Sequence, residues 1–567
     1  MVHVIAHNIT SPLGMTTDEN LQNILAGKTG LCKHRHAMGL EEPFGASLFD
    51  DAQWAHIQRE GFTRFESLVI HSMQEALRQL KVTLPAKTCF ILSTTKANIE
   101  NLQHGSLQDI LPAESAEKIS RFFQLGIRPI VVSNACISGV SAQILALRLL
   151  ECSYYDCAIV VGCDVQSKFI VSGFQSLKAL SADVCKPFDI ERLGLNLGEA
   201  CGTMVLRKVE NPEARDASGW YLISGNVCND ALHITNPSPI GLGCKTALMQ
   251  TLANTSMEHL ALINLHGTAT MYNDQMESKA IEQLGLSEIP VNGLKGYFGH
   301  TMGAAGIIET IVSLSSLDKG ILVGTKGFSE LGVSGKINIS PNPRATEKNS
   351  FVKVISGFGG CNGAVLYSKS PVFAPVSQPR HKTLHRVRIT PEEILLDGRR
   401  LEGFREQGVK LLTEYYKSMI KDYPKFHKMD ILGKLGIVAS ELLLSAEKPG
   451  NRFQERTDRA VVIFNHSSSI VSDMQYQESI EDESNFFPSP SVFIYTLPNI
   501  VTGEISIRNK YHGETALYIL SGKDTTRIEQ ITSATFLSPN THSMVAGWID
   551  AESVDRFEAE LALLEKV

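Results

Sequence analysis

Short apolar runs rich in β-branched residues recur through the first ~370 residues: CFILST (89–94), PIVVSN (129–134), CAIVVG (157–162), ALINLHG (261–267) and FVKVISG (351–357). Longer stretches with helical spacing separate them. Each run is continuous rather than alternating, which predicts strands covered on both faces and a layered α/β fold. A proline-rich break follows, SPVFAPVSQPRHK (370–382), with Pro371, Pro375 and Pro379. It reads as a linker. From about residue 388 the pattern is α/β again. The acidic, polar stretch near 476–490, QESIEDESNFFPSP, reads as an exposed loop. The expected organisation is a domain over 1–370, a linker over 371–387 and a second domain over 388–567.

The tail echoes the first part of the chain. Phe62-Thr63-Arg64-Phe65 precedes an amphipathic helix and then the strand-like CFILST; Phe426-His427-Lys428-Met429 precedes a helix and then AVVIFN. Cys136-Ile137-Ser138-Gly139 has an echo in Ile519-Leu520-Ser521-Gly522, and Val161-Gly162-Cys163-Asp164 a loose one in Ile549-Asp550. The echo stops there, so the tail reads as half a copy.

Composition narrows the function. Lys+Arg 53 against Asp+Glu 60 gives a net charge of −7, which argues against a chain built to neutralise nucleic-acid phosphates. Mean hydropathy is −0.02, and no apolar run approaches the ~18 residues of a membrane span. The opening MVHVIAHNITSPLG does not read as a secretory signal. All eleven cysteines lie between Cys32 and Cys361. An odd count without CxxC pairs fits neither a disulfide framework nor a zinc knuckle. Reduced thiols in the cytoplasm are the expected state.

Four segments carry candidate chemistry. In VVSNACISGVSAQILALRLLE (131–151) a strand runs into small residues, Cys136, and a helix that is apolar nearly all round. Such a helix is buried. A cysteine at its start meets free N–H groups and the positive end of the dipole, which favour the thiolate; the alternative is a structural thiol. His266 ends a strand in NLHGTATMYNDQMESKA, and His300 precedes a glycine- and alanine-rich helix in GLKGYFGHTMGAAGIIETI. Each stands at a strand or loop end beside glycine, where α/β active sites gather. Taken singly, either reads equally as a surface or core histidine, and Gly303–Gly306 as a packing signal. VISGFGGCNGAVLYSK (354–369) places four glycines and Phe358 between two strands. That loop is an oxyanion donor or a tight hairpin, and matches neither a P-loop nor a dinucleotide fingerprint.

In this order the segments resemble the β-ketoacyl-acyl-carrier-protein synthases, elongating condensing enzymes of the thiolase superfamily. The resemblance spans nearly all of 1–370. It includes Ser11-Pro12-Leu13-Gly14, Lys186-Pro187-Phe188-Asp189, Gly198-Glu199-Ala200, HGTAT with Asn273, Asp274 and Glu277, Lys295 with GHTMGAAG, and GFGGCN. It implies a thiolase-like α-β-α-β-α fold and a decarboxylative Claisen condensation in fatty-acid, polyketide or polyene synthesis. Cys136 is then the nucleophile that takes an acyl chain from a carrier-protein thioester. His266 and His300 hold the enolate formed when malonyl-carrier protein loses CO2. The N–H groups of Cys136 and Phe358 hold the tetrahedral oxyanion. Lys295, partnered by Glu309, organises the site, and Phe358 is the gate between acyl loading and malonyl binding. Asp274, Glu277 and Glu199 are supporting residues. No cofactor or metal is implied.

The chain departs from the family at Cys361, where threonine is common, and at Ser356, where an aromatic is common. In the tail, PSPSVFIYTLPNIVTGEISIRNKYHGE (488–514) resembles the segment ahead of the nucleophile, with Ile519 aligned to the cysteine position. The tail is expected to be a truncated, catalytically empty ketosynthase-like half, similar to a chain-length factor. It would be an internal pseudo-dimer partner, with homodimers or heterodimers as further assemblies. A non-catalytic chain-length factor or scaffold is the alternative function, and a thiolase the third, with Cys361 as its second cysteine.

Overall fold

The computed structural model describes all residues except 104, 211–218, 371–375, 377, 448–452 and 482–487. The elements that position the site are, in chain order, β1 (Val2–Thr10), α1 (Arg64–Leu77), β2 (Thr88–Ser93), β3 (Ile130–Val132), α2 (Ser138–Glu151), β4 (Cys157–Asp164), β5 (Ala200–Lys208) and β6 (Tyr221–Asn229). There follow α3 (Leu242–Leu252), β7 (Leu260–Asn264), α4 (Met271–Gln283), β8 (Pro290–Asn292), α5 (Ala305–Asp318), β9 (Ser350–Gly357) and β10 (Cys361–Ser368). The tail holds β11 (His381–Ile389), α6 (Ile431–Ser445), β12 (Arg459–Asn465), α7 (Ile470–Glu481), α8 (Ile500–Asn509), β13 (Thr515–Ile519), α9 (Thr525–Thr535), β14 (Ser543–Ala551) and β15 (Phe557–Lys566).

Strands β3-β2-β4-β5-β1 form one sheet and β8-β7-β9-β10-β6 a second. Helices α2 and α5 lie between them, touching both, while α1 covers the first sheet and α3 the second. The layers are therefore α-β-α-β-α, as the continuous apolar runs require. Nearly every residue of α2 and α5 is buried, which explains why neither is amphipathic. The two helices cross without intervening side chains: a Cβ on Gly139 would lie 2.9 Å from the Gly303 carbonyl, and one on Gly306 2.7 Å from the Val140 amide. Small residues at both helix starts thus bring the loops before them together.

The tail repeats the first sheet as β13-β12-β14-β15-β11. Its outer face is covered by α6, which touches β11, β14 and β15. The repeat is joined to the original edge to edge, because β13 pairs antiparallel with β3, Tyr518 opposite Val132 and Ile519 opposite Val131. Two sheets thereby become one, and neither β3 nor β13 is left as an open edge. Ion pairs cross the same seam. Arg148 on α2 meets Glu514 through two hydrogen bonds, of 2.7 and 2.8 Å, and Lys96 is buried against Asp473, Ser469 and the Thr496 carbonyl.

Three expectations are corrected. The stretch read as a linker, 371–387, contains the start of β11, so the repeat begins at His381 rather than 388; Pro371 and Pro375 lie outside the described residues. Part of the expected loop near 476–490 is helical, because α7 runs to Glu481 and Tyr476 is buried; 482–487 lie outside the described residues. The position matching Cys136 is Gly522, not Ile519. Ser93 pairs with Val132 and Gly162, just as Phe464 pairs with Tyr518 and Trp548. Val132 therefore matches Tyr518, and Ser521-Gly522 matches Ala135-Cys136 rather than Ser138-Gly139.

Candidate active site

Cys136 follows β3 on a sharp elbow. Ala135 has φ +47°, a left-handed conformation costing an alanine roughly 1–2 kcal/mol. Ala135–Ile137 then form a 3-10 turn leading into α2. The elbow is held from behind by Asn134, whose side chain donates to the Thr515 carbonyl (3.0 Å) and accepts from the Leu517 amide (3.1 Å), both in the tail.

His300 precedes α5 and His266 follows β7. The rings stand edge to face, with centroids 5.0 Å apart. The thiol and one nitrogen of each ring lie within 4.8 Å of one another. His300 Nε2 is 3.1 Å from Cys136 Sγ, and the Met302 amide donates to its Nδ1 (3.1 Å). A neutral imidazole accepting at Nδ1 carries its proton on Nε2. His300 therefore presents an N–H donor to the cavity, where a metal would require a lone pair. Burial, and then the nearby Lys295 and Lys353, push His300 well below the usual histidine range. Burial, Lys295 and His300 do the same to His266. Both rings are neutral at physiological pH.

The thiol does not behave as the elbow alone suggests. The backbone N–H groups of Cys136 and Phe358 are aimed at the sulfur and Lys295 is near, yet burial dominates and pushes the Cys136 thiol up to about 12. The expected bias toward thiolate is thus outweighed, because the sulfur is buried among apolar side chains in the shared cavity. The same two N–H groups form a donor pair of oxyanion-hole type.

The remaining predicted residues stand behind this group. Lys295 Nζ donates to the His266 carbonyl and to Glu309, each at 2.7 Å. Glu277 accepts from the His266 and Gly267 amides (2.6 and 2.8 Å) and from Asn273 (2.9 Å), fixing the loop that carries His266. Asp274 accepts from the Phe188 amide (2.7 Å), and burial raises it to about 6. Glu199 is remote in role: it accepts from the Phe49 and Gln166 amides (3.1 Å each) and pairs with Arg64. Phe358 lies half-buried on the turn between β9 and β10, its ring stacked on Phe174 at 6.4 Å. Cys136, His266, His300, Phe358, Phe174 and Ser356 line a common cavity of about 240 Å³.

Three supports escape the sequence reading. Lys353 pairs with the second oxygen of Glu309 and donates to the Leu265 carbonyl (3.1 Å). Its signal was available, a lysine inside the apolar strand FVKVISG. Burial opposes ionisation of Glu309, but Lys295 and Lys353 together hold its carboxyl below the usual range. Asp164 accepts from Thr94, from the Thr95 and Lys96 amides, and from the Gly303 amide (2.7 Å), tying the first sheet to the His300 loop. Asn499, from the tail, donates to the Phe358 carbonyl (2.9 Å). No spacing rule links that residue to a loop so distant in sequence.

Comparison with known proteins identifies the family. The family described as "Beta-ketoacyl synthase, N-terminal domain" matches residues 1–211, and "Beta-ketoacyl synthase, C-terminal domain" matches 222–329. The 3-oxoacyl-[acyl-carrier-protein] synthase 2 of Vibrio cholerae serotype O1 is 25% identical over 411 residues, covering 65% of this chain and 99% of its own. Nodulation protein E of Rhizobium meliloti is 28% identical over 293 residues, covering 49% of this chain and 72% of its own. Among solved structures, "PfaC Keto synthase-Chain length factor" superposes on 100% of this chain and 78% of its own, with a TM-score of 0.79 at 13% identity. That likeness shows the fold, and it extends over the tail as well as the first 370 residues. With its sequence matched over residues 1–211 and 222–329, the chain belongs to the β-ketoacyl synthase family and is an acyltransferase that forms carbon–carbon bonds.

Proposed function

We propose that the first 370 residues carry out the condensation at Cys136, His266 and His300, and that the tail is their internal, catalytically empty partner. In the first half-reaction the Cys136 thiol attacks an acyl thioester of a carrier protein. The acyl–Cys136 thioester forms, the carrier–sulfur bond breaks, and the proton leaves with the carrier thiol. Malonyl-carrier protein then binds and loses CO2. The electron pair of the broken bond becomes an enolate, whose oxygen accepts N–H donation from His300 and His266. The enolate carbon attacks the acyl carbonyl, whose oxygen is held by the N–H groups of Cys136 and Phe358. Collapse expels the Cys136 sulfur, which regains a proton, and leaves a β-ketoacyl chain on the carrier.

The observation that carries the proposal is the 3.1 Å contact of His300 Nε2 with Cys136 Sγ, with Nδ1 already occupied by the Met302 amide. Neutral donors at the thiol suit a negative charge that develops and then vanishes. Lys295, Glu309 and Lys353 hold the loops, with Lys295 adding positive potential. Asp274, Glu277 and Glu199 position backbone. Carrier-bound thioesters are the substrates, as the name of the Vibrio relative suggests. The sheet continued through β3 and β13 supports an internal partner, because the tail supplies the surface that a second ketosynthase would otherwise provide.

The test incubates the full chain with an acyl-carrier protein and follows the mass of Cys136, then adds malonyl-carrier protein and measures CO2. An adduct on Cys136 followed by CO2 and β-ketoacyl-carrier protein is the expected result. No adduct on the wild-type chain overturns the proposal in favour of a scaffold.

A further inference from the structure

The tail touches the turn that carries Phe358. Phe358, Gly359 and Gly360 make the turn between β9 and β10, with Gly359 at φ +90° and Gly360 at φ +72°. The Asn499 amide that donates to the Phe358 carbonyl also lies 3.9 Å from Cys361 Sγ. Its Oδ1 is buried and has no hydrogen-bond partner among the described residues. The tail also packs tightly against this turn. A Cβ on Gly359 would stand 2.8 Å from Asn499 Nδ2, and a Cβ on Gly503 of α8 would stand 2.6 Å from the Gly359 carbonyl. Asn229 adds a second tie, donating to the Gly359 carbonyl (2.8 Å) and to Thr515 in the tail (3.2 Å).

The two halves differ at this residue. In the register set by Val132 and Tyr518, Leu111-Pro112-Ala113 matches Leu497-Pro498-Asn499, and Ile119-Ser120 matches Ile505-Ser506 without a gap. The counterpart of Asn499 is therefore Ala113, buried in the first half. Among the described residues, the tail has no strands matching β9 and β10, hence no gate for a residue at 113 to hold. The carboxamide stands in the half that faces a gate and is missing from the half that faces none.

We propose that Asn499 is a positioning residue of the condensation, a latch by which the tail holds Phe358 over the Cys136 cavity. Resting on the proposed condensation and on the gate role that the family resemblance implies for Phe358, the inference is that the Asn499–Phe358 bond is made while malonyl-carrier protein reacts. It breaks when Phe358 moves aside for the acyl chain. Removing the N–H donor eases opening and weakens closure, so the two half-reactions respond in opposite senses. A general structural lesion would slow both.

The experiment measures, on the full chain, the rate of Cys136 acylation by a long-chain acyl-carrier protein and the rate of condensation with malonyl-carrier protein. Asn499→Asp keeps the volume and loses the N–H donor; Asn499→Ala is the second variant, and thermal unfolding checks that both fold. The expected result is acylation at or above the wild-type rate with condensation at least fivefold slower, in both variants. Unchanged condensation in Asn499→Asp overturns the latch, as does an equal slowing of both steps. A wild-type chain that forms no acyl adduct instead sinks the ketosynthase reading itself, a result distinct from either.

Discussion

The two halves share a sheet plan and differ in what stands at its ends. In the first half Asp164, at the end of β4, caps the Thr95 and Lys96 amides; in the tail Asp550 caps the His466 and Ser467 amides in the same way. Thr63 and Asp430 cap the helices ahead of matching strands. Residues that satisfy backbone are thus kept in both halves, since an unpaired buried N–H destabilises any fold. The chemistry is not kept. Gly522 replaces Cys136, and among the described residues nothing in the tail corresponds to the segments holding His266, His300 and Lys353. What a layered sheet needs is thus separate from what a condensation needs.

The largest effect is expected at the nucleophile. Cys136→Ala should bring acyl transfer to background, on the order of 10⁴-fold or more, read as the missing mass increment. The converse substitution, Gly522→Cys, meets nothing within 4 Å and should fold. It should gain no acylation, because a thiol there faces no imidazole pair; an adduct at 522 would break the comparison. Next comes the seam. Glu514→Ala leaves Arg148 buried without its partner, and should lower stability by about 3–5 kcal/mol, measured by denaturant unfolding. Removing the tail after about residue 375 should expose the β3 edge and the apolar surface around it, giving aggregation or a changed oligomeric state. A soluble, active truncation would contradict the internal partner.

His300→Ala should slow decarboxylation by roughly 100- to 1,000-fold and acylation much less; equal losses would contradict its role at the enolate. The smallest effects are in pH. His266 and His300 titrate below the usual histidine range, so both rings stay neutral, and His300 Nδ1 keeps accepting from the Met302 amide, as pH falls through 6.5. Decarboxylation should therefore show no protonation step between pH 8 and 6.5. With its thiol raised to about 12, Cys136 should react with iodoacetamide at a rate that keeps climbing with pH, without a plateau near neutrality. A plateau at pH 7 would mean a standing thiolate.

Much of this was legible beforehand. The α-β-α-β-α layers follow from continuous apolar strands, and the small residues beside Cys136, His266 and His300 marked loops where backbone comes close. Boundaries were less legible. The prolines at 371–379 suggested a longer break than exists, because β11 is an alternating strand with exposed Lys382, Leu384 and Arg386, and its pattern is weak. Lys353 was visible as a charge in an apolar strand, but its partner Glu309 sits on α5 and only the fold joins them.

The sequence by itself determined the residue types, their order and the presence of a second, emptier sheet, since these depend on local periodicity and on side chains that chemistry cannot do without. Tertiary structure alone decided that His300 donates rather than accepts, that burial outweighs the helix start at Cys136, and that Asn499 reaches across to Phe358. Each of these depends on distances between segments far apart in the chain, and on how much water the packing excludes.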